Sequence, residues 1–259
     1  MMEEKPIDRG VGEWLVLSYL PVSLFSLRMA HATSKGGKTL LVPTPYAFKM
    51  TMIDACFRVF NGDEAEKKAR QVFDLIKGCE IRFNPPSVCI VQNTFVKIRQ
   101  EERDAPKGFY VPTIAYREFC FYSNDELKVA VGVKGLSEEA IDMLRLLGSH
   151  INCIGKRGSF WQFVGDSNHK NELPEGFIFP HTEERLSTGN FQWFQYLDDF
   201  GEVLCKAKDG FDRISTYGDG KIELGKHRIL VRMVLPYKFK QSSRHFTQYE
   251  KVASSAQPI

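Results

Sequence analysis

From Trp14 to Ile154 the hydrophobic spacing switches repeatedly between the two periods that regular secondary structure allows, and that alternation leaves few topologies open. Trp14 to Tyr19 is an apolar run of strand length, and Ser34-Lys35-Gly36-Gly37-Lys38 is loop-forming. Thr44 then offers a hydroxyl N-cap, Pro45 suits a first helical position, and Phe48, Met52, Cys56 and Val59 follow at helical spacing. A second helix from about Asp63 carries Ala69, Val72, Phe73 and Ile76 and stops at Gly78. After Pro85-Pro86 the pattern turns to strands, Val88 to Ile98 and Thr113 to Tyr122, rich in β-branched and aromatic residues. The polar excursion between them is longer than a tight hairpin needs. Leu127 to Val133 predicts another strand, Ser137 caps a helix bearing Ile141, Leu144 and Leu147, Gly148 closes it, and Ile151 to Ile154 predicts the last strand.

The order β, α, β, β, α, β is that of a ferredoxin-like α+β domain, whose sheet is also the scaffold of RNA-recognition folds. Beyond Val164 the composition turns acidic and turn-rich, predicting a first domain over 1–164 and a smaller β-rich region over 165–259. There, Ser215 to Tyr217 and Lys221 to Leu224 flank Gly218-Asp219-Gly220, a hairpin signal, and Ile229 to Leu235 predicts a buried strand.

Several classes of function drop out. No apolar window of about 18 residues is present, and the N-terminal MMEEKPIDRGVGEW lacks the apolar core of a signal peptide, so the expectation is a cytoplasmic protein without a membrane partner. The 6 cysteines include no CxxC pair, which argues against a zinc knuckle or a disulfide framework. No HxxxH pair and no Walker or dinucleotide glycine pattern occurs, so neither a metal nor a cofactor is expected.

The net charge of +3 announces no partner, but its distribution is uneven. Trp14 to Ile53 contains no carboxylate and holds Arg28, Lys35, Lys38 and Lys49; Leu224 to Tyr249 is also acid-free and basic. The acidic middle, including Asp166, Glu172, Asp198 and Asp199, repels a phosphate backbone, so a polyanion would meet only part of the surface. Lys97, Arg99, Arg103 and Lys107 can pair with phosphates while Phe109 and Tyr110 can stack on unpaired bases. Lys156 and Arg157, in Gly155-Lys156-Arg157-Gly158, combine close backbone approach with two cations. Lys49 lies in the first turn of a helix, whose N-terminus favours anions. On Thr113 to Tyr122, alternation places Phe119 and Phe121 on one face, expected to be core, and Tyr116 and Tyr122 on the other, where they are candidates for base stacking.

Three segments carry a family resemblance: PVSLFSLRMAHATSKGGKTLLVPTPYAFKMTMIDACFR, TIAYREFCFY and LGSHINCIGKRGSFWQF. Their order over roughly residues 14 to 164 resembles the Cas5 family of CRISPR-associated RAMP proteins. The resemblance implies a ferredoxin-like (RRM-like) RAMP body with a β-hairpin thumb at about 98–112. It further implies a non-catalytic subunit of a type I Cascade complex that caps the 5′ handle of the guide RNA (crRNA). Such a subunit meets the backbone and large subunits, and target DNA only indirectly through the complex. One branch of the family instead cleaves precursor guide RNA without metal, using a tyrosine, a lysine and a histidine. Here the tyrosine position is Leu40, and only Tyr46 and His31 lie nearby. That ribonuclease, and an ordinary interaction domain with basic loops, stay open as alternatives.

Overall fold

The computed structural model describes residues 12–30, 32, 36–102, 104–123, 125–171, 173–180, 193–215 and 220–252. Four strands form the central sheet in the order β3 (Ile81–Asn84), β6 (Leu127–Gly132), β1 (Gly12–Pro21), β7 (Trp161–Asn171), every neighbouring pair antiparallel. Helices α1 (Pro45–Val59) and α2 (Gly62–Ile76) lie between β1 and β3, and α3 (Glu138–Ser149) lies between β6 and β7. Thr44 and Ser137 cap α1 and α3 as the sequence predicts, each accepting from the backbone N–H three residues on.

The two sheet faces are both occupied. Leu15, Leu17 and Tyr19 of β1 are buried on the helical side, where the Tyr19 hydroxyl donates to the carbonyl of Gly148 at 2.9 Å. Gly148 is required by this approach, because a Cβ there would stand 2.7 Å from Leu17 Cδ1. On the opposite face Trp14, Val16 and Ala130 are covered by Leu173 and Phe177, and the Arg82 guanidinium lies 5.1 Å from the Trp14 ring. The face on which RNA-recognition domains stack bases is therefore partly roofed over.

The ferredoxin-like order holds, but two of its strands differ from those expected. The second is the four-residue Ile81–Asn84, caught between Gly78 and Pro85, and the last is Trp161–Asn171. Ile151 and Ile154 are buried, yet the segment joins no strand and meets only an isolated bridge, Cys153 to Phe160, around a glycine turn. The apolar run anchors a turn, while the true edge strand is too polar to show alternation.

The long strands instead build a separate arm. β4 (Val88–Glu101) and β5 (Tyr110–Tyr122) pair continuously from Cys89 opposite Tyr122 to Glu101 opposite Tyr110. The expected long loop is thus mostly strand. This hairpin belongs to a five-stranded sheet ordered β11 (Tyr237–Ser242), β12 (Phe246–Lys251), β4, β5, β2 (Gly36–Gly37). A third sheet holds β8 (Phe179–Pro180), β10 (Arg228–Leu235) and β9 (Trp193–Phe200), followed after β9 by the short helices α4 (Glu202–Lys206) and α5 (Gly210–Ile214).

β10 is the strand expected at Ile229 to Leu235, but only Met233 to Leu235 of it are buried while Ile229 and Leu230 are exposed, and β7 runs through Val164 and Gly165. The hairpin expected around Gly218-Asp219 falls on residues that lie in part outside those described. Within them Ser215 caps the C-terminus of α5 and Leu224 makes an isolated bridge to Arg228. One hydrophobic cluster spans the helices, the arm's base and the C-terminal elements, with Phe73 of α2 set against Phe200 and Phe211.

Candidate nucleic-acid interface

Strand register decides what the arm presents. Phe95 stands opposite Tyr116, Lys97 opposite Ile114, Arg99 opposite Pro112 and Glu101 opposite Tyr110, all on one face. At the arm's base this face is core, through Cys89, Val91, Cys120 and Tyr122; farther out it is open, with Phe95 72%, Ile114 62% and Tyr110 54% exposed. Lys97 and Arg99 are exposed among these rings, and Phe95 lies edge-on to Tyr116 at 5.7 Å. Lys107 and Phe109 are exposed in the connecting turn, where Gly108 takes a φ of 91°. Arg103 lies outside the described residues. Phe95 and Ile114 were missed by the sequence reading, although Phe95 continues the alternation of Lys97 and Arg99 on β4 and Ile114 alternates with Tyr116 on β5.

At the base of β5 the faces are the reverse of those expected. Tyr122 is buried, packs against Phe25 and Trp161, and donates to the carbonyl of Leu41, whereas Phe121 is exposed. The tyrosine wins the interior because a backbone acceptor there satisfies its hydroxyl.

The segment from Val22 to Arg28 links the arm to the two other basic pieces. Phe25 exchanges backbone hydrogen bonds with Cys120 of β5 (3.0 and 2.6 Å), and the Val22 N–H donates to the carbonyl of Phe160 at 3.1 Å. Arg28 bridges Thr39, so Arg28 and Lys38, both exposed, sit on one strand-like pair; the Arg28 guanidinium also donates to the carbonyl of Ala32. Lys35 and His31 lie outside the described residues.

Lys156 and Arg157 are exposed on a turn closed by the Ser159 N–H donating to the carbonyl of Lys156 at 3.0 Å. Gly155 and Gly158 take φ of 79° and 96°, and a Cβ on Gly155 would stand 2.6 Å from Leu27 Cδ2. The turn is thereby seated against the residue preceding Arg28. Phe160, 51% exposed beside it, is a second aromatic that the sequence reading passed over.

Lys49 is a correction. Its side chain is 2% exposed, and its ammonium lies 2.8 Å from Asp199 of β9 and donates to the carbonyl of Lys77 at 3.4 Å. Asp198 and Asp199 are adjacent in β9, so their side chains leave opposite faces, and each carboxylate meets a cation, Asp198 the Arg228 guanidinium at 2.7 Å and Asp199 the Lys49 ammonium. Burial raises the Asp199 carboxyl above its ordinary value, with Lys49 opposing the shift.

Of the alternative ribonuclease residues, Leu40 is buried, and Tyr46 is half-buried, its ring 5.3 Å from Phe200 and 5.0 Å from the Arg228 guanidinium. No group of three potential metal ligands occurs among the described residues. A cleft of about 450 Å³ is lined by residues including Ser87, Asp125, Lys128 and Lys251, but its half-buried ammonium, Lys251, is already held by Asn84 and by the carbonyl of Pro85. No described helix is long and apolar enough to cross a membrane.

Strand order, helix placement and the inserted two-stranded arm define a ferredoxin-like fold. The chain is similar to a Cas5 protein of a CRISPR system. It is 24% identical to the CRISPR-associated protein Cas5 of Archaeoglobus fulgidus over 151 residues, which are 56% of this chain and 65%, just under two thirds, of that relative. No family model matches.

Similar solved structures include a CRISPR protein from Archaeoglobus fulgidus (TM-score 0.46, 13% identity, covering 93% of this chain and 92% of that one). A chain of a CRISPR RNA-guided surveillance complex gives a TM-score of 0.38 at 14% identity, covering 86% and 88%. A chain of the Csm3-Csm4 subcomplex of a type III-A interference complex gives 0.35 at 8%, covering 92% and 93%.

Proposed function

We propose that this chain is a non-catalytic RNA-binding subunit of a type I CRISPR Cascade complex, holding the 5′ handle of the guide and joining the backbone to the large subunit. The observation that carries this reading is the outer face of the arm, where Lys97 and Arg99 alternate with Phe95, Tyr110 and Ile114 in the open. Alternating cations and exposed rings suit a single strand, whose phosphates take the charges while its unpaired bases stack. Arg28, Lys38, Lys156 and Arg157 continue the basic surface along the Val22 to Arg28 segment. Affinity for a single-stranded repeat RNA falls steeply with salt on this reading, and a salt-insensitive or undetectable association, measured with the partner subunits assembled, overturns it.

Lys156→Ala with Arg157→Ala weakens RNA retention in a graded way. Each contact contributes about 1 kcal/mol and the salt slope shrinks by about 1.4, taking roughly 0.7 per phosphate for a single strand. Filter binding of the double variant across a salt series checks both numbers.

Incubated with precursor repeat RNA, the purified protein leaves it uncut with or without chelator. Cleavage at one fixed position, abolished by Tyr46→Phe or His31→Ala, would instead establish the ribonuclease reading.

A further inference from the structure

Glu118 stands on β5, beside the cations and rings assigned above to RNA, where a carboxylate repels a polyanion. Both its oxygens are engaged: Oε2 accepts from the backbone N–H of Thr39 at 3.0 Å, and Oε1 accepts from the Tyr116 hydroxyl at 3.0 Å. The two donors belong to separate parts of the surface. Thr39 follows Lys38 and bridges Arg28, while Tyr116 lies edge-on to Phe95. We propose that Glu118 is a positioning residue: its carboxylate locks the Arg28–Lys38 pair to the aromatic face of the thumb, so that cations and stacking rings meet an RNA strand at one fixed spacing.

Glu118 adds a side-chain tie to the backbone ones by which this segment already meets β5, at Gly36, Gly37 and Phe25. β2 is two glycines, pairing with β5 only at Gly36 with Tyr116 and Gly37 with Arg117. A larger residue at Gly37 would crowd β5, since a Cβ there would stand 2.8 Å from Arg117 Cδ and 3.2 Å from the carbonyl of Tyr116. Thr39 is the first residue fastened on both sides, its N–H to Glu118 and its Oγ1 accepting from the Leu27 N–H at 3.0 Å. Burial, and after it the neighbouring Glu118 carboxylate, pushes the Tyr116 phenol up to about 12, so that hydroxyl stays protonated and able to donate.

Electrostatics and positioning predict opposite signs, which makes the inference testable; it rests on the RNA-binding reading above. Glu118→Gln removes the charge but keeps both contacts, its Oε1 accepting from Thr39 and its Nε2 donating to the Tyr116 oxygen. Glu118→Ala removes both contacts along with the charge. The test measures binding of a labelled single-stranded repeat RNA by each assembled variant, together with amide hydrogen exchange.

Glu118→Gln is expected to bind at least as tightly as the parent, and Glu118→Ala about fivefold or more weaker, although it too has lost a repulsive charge. The Thr39 amide loses protection in Glu118→Ala alone, while the Leu17 amide in β1 keeps its own, separating a released lock from a failing fold. Glu118→Ala binding as tightly as the parent, or unchanged exchange at Thr39, overturns the lock. No binding by the parent overturns the RNA reading and the lock's purpose with it, while the exchange data still report whether the brace exists.

Discussion

Replacing Lys97 to Ile114 by Asn-Gly leaves the body folded and removes most of its grip on a guide strand. Val96 and Ala115 face each other across the hairpin, so a two-residue turn joins them in register. No described residue between Lys97 and Ile114 is buried, so the unfolding free energy changes by only about 1 kcal/mol. The excised piece carries Lys97, Arg99, Arg103 and Lys107 together with Phe109, Tyr110 and Ile114. At roughly 0.7 per phosphate neutralised on a single strand, loss of up to four contacts lowers the salt slope by about 3. Affinity at moderate salt falls by about 100-fold or more, each contact being worth about 1 kcal/mol and each stacked base about 1–3 kcal/mol. Nuclease protection of the guide's 5′ end in the reconstituted complex reads the outcome. Protection equal to the parent's removes the arm from the mechanism.

Lys49→Met costs about 3–5 kcal/mol of stability, because it strands the Asp199 carboxylate in the interior. The loss depends on pH with a defined sign. Burial already raises the folded-state value of Asp199, and removing Lys49 takes away the influence that lowers it, so the carboxyl in the variant takes up a proton more readily still. The destabilisation is therefore largest at neutral pH and narrows as pH falls through that raised value, where the neutral acid no longer needs a cation. Lys49→Met with Asp199→Leu recovers most of the stability, since well-packed apolar residues replace a buried pair at little cost. Denaturant titrations at two pH values, with all three variants, check the sign and the recovery. Equal losses at both pH values would show that Asp199 stays ionised throughout.

The fold was legible where one residue type does one job. Thr44-Pro45 and Ser137 marked helix starts because capping is local, and β1 showed itself because both its faces are covered. The short β3 and the polar β7 were hidden for the converse reason: four residues give too few periods to count, and an edge strand facing water keeps no alternation. Of the candidate site, the cations stand out in the sequence but their arrangement does not. Lys49 looked like a helix-terminal phosphate ligand because nothing near it in sequence reveals Asp199, 150 positions away. Nothing near Glu118 in sequence reveals its partner Thr39, 79 positions away. Contacts of this kind are set by strand register, which spacing alone does not determine.

β12 closes the arm's sheet against β4, and the Tyr237 hydroxyl, donating to the carbonyl of Pro86 across 151 positions, seals the same joint. During synthesis, then, β4 and β5 emerge and pair long before the strand that covers the free edge of β4 exists. Over that interval the nascent chain displays an unpaired edge that includes Cys89, Ile90 and Val91, the kind of template on which chains join one another. The arm is thus a part that needs shielding on the ribosome, and slower elongation through the C-terminal region would lengthen its exposure.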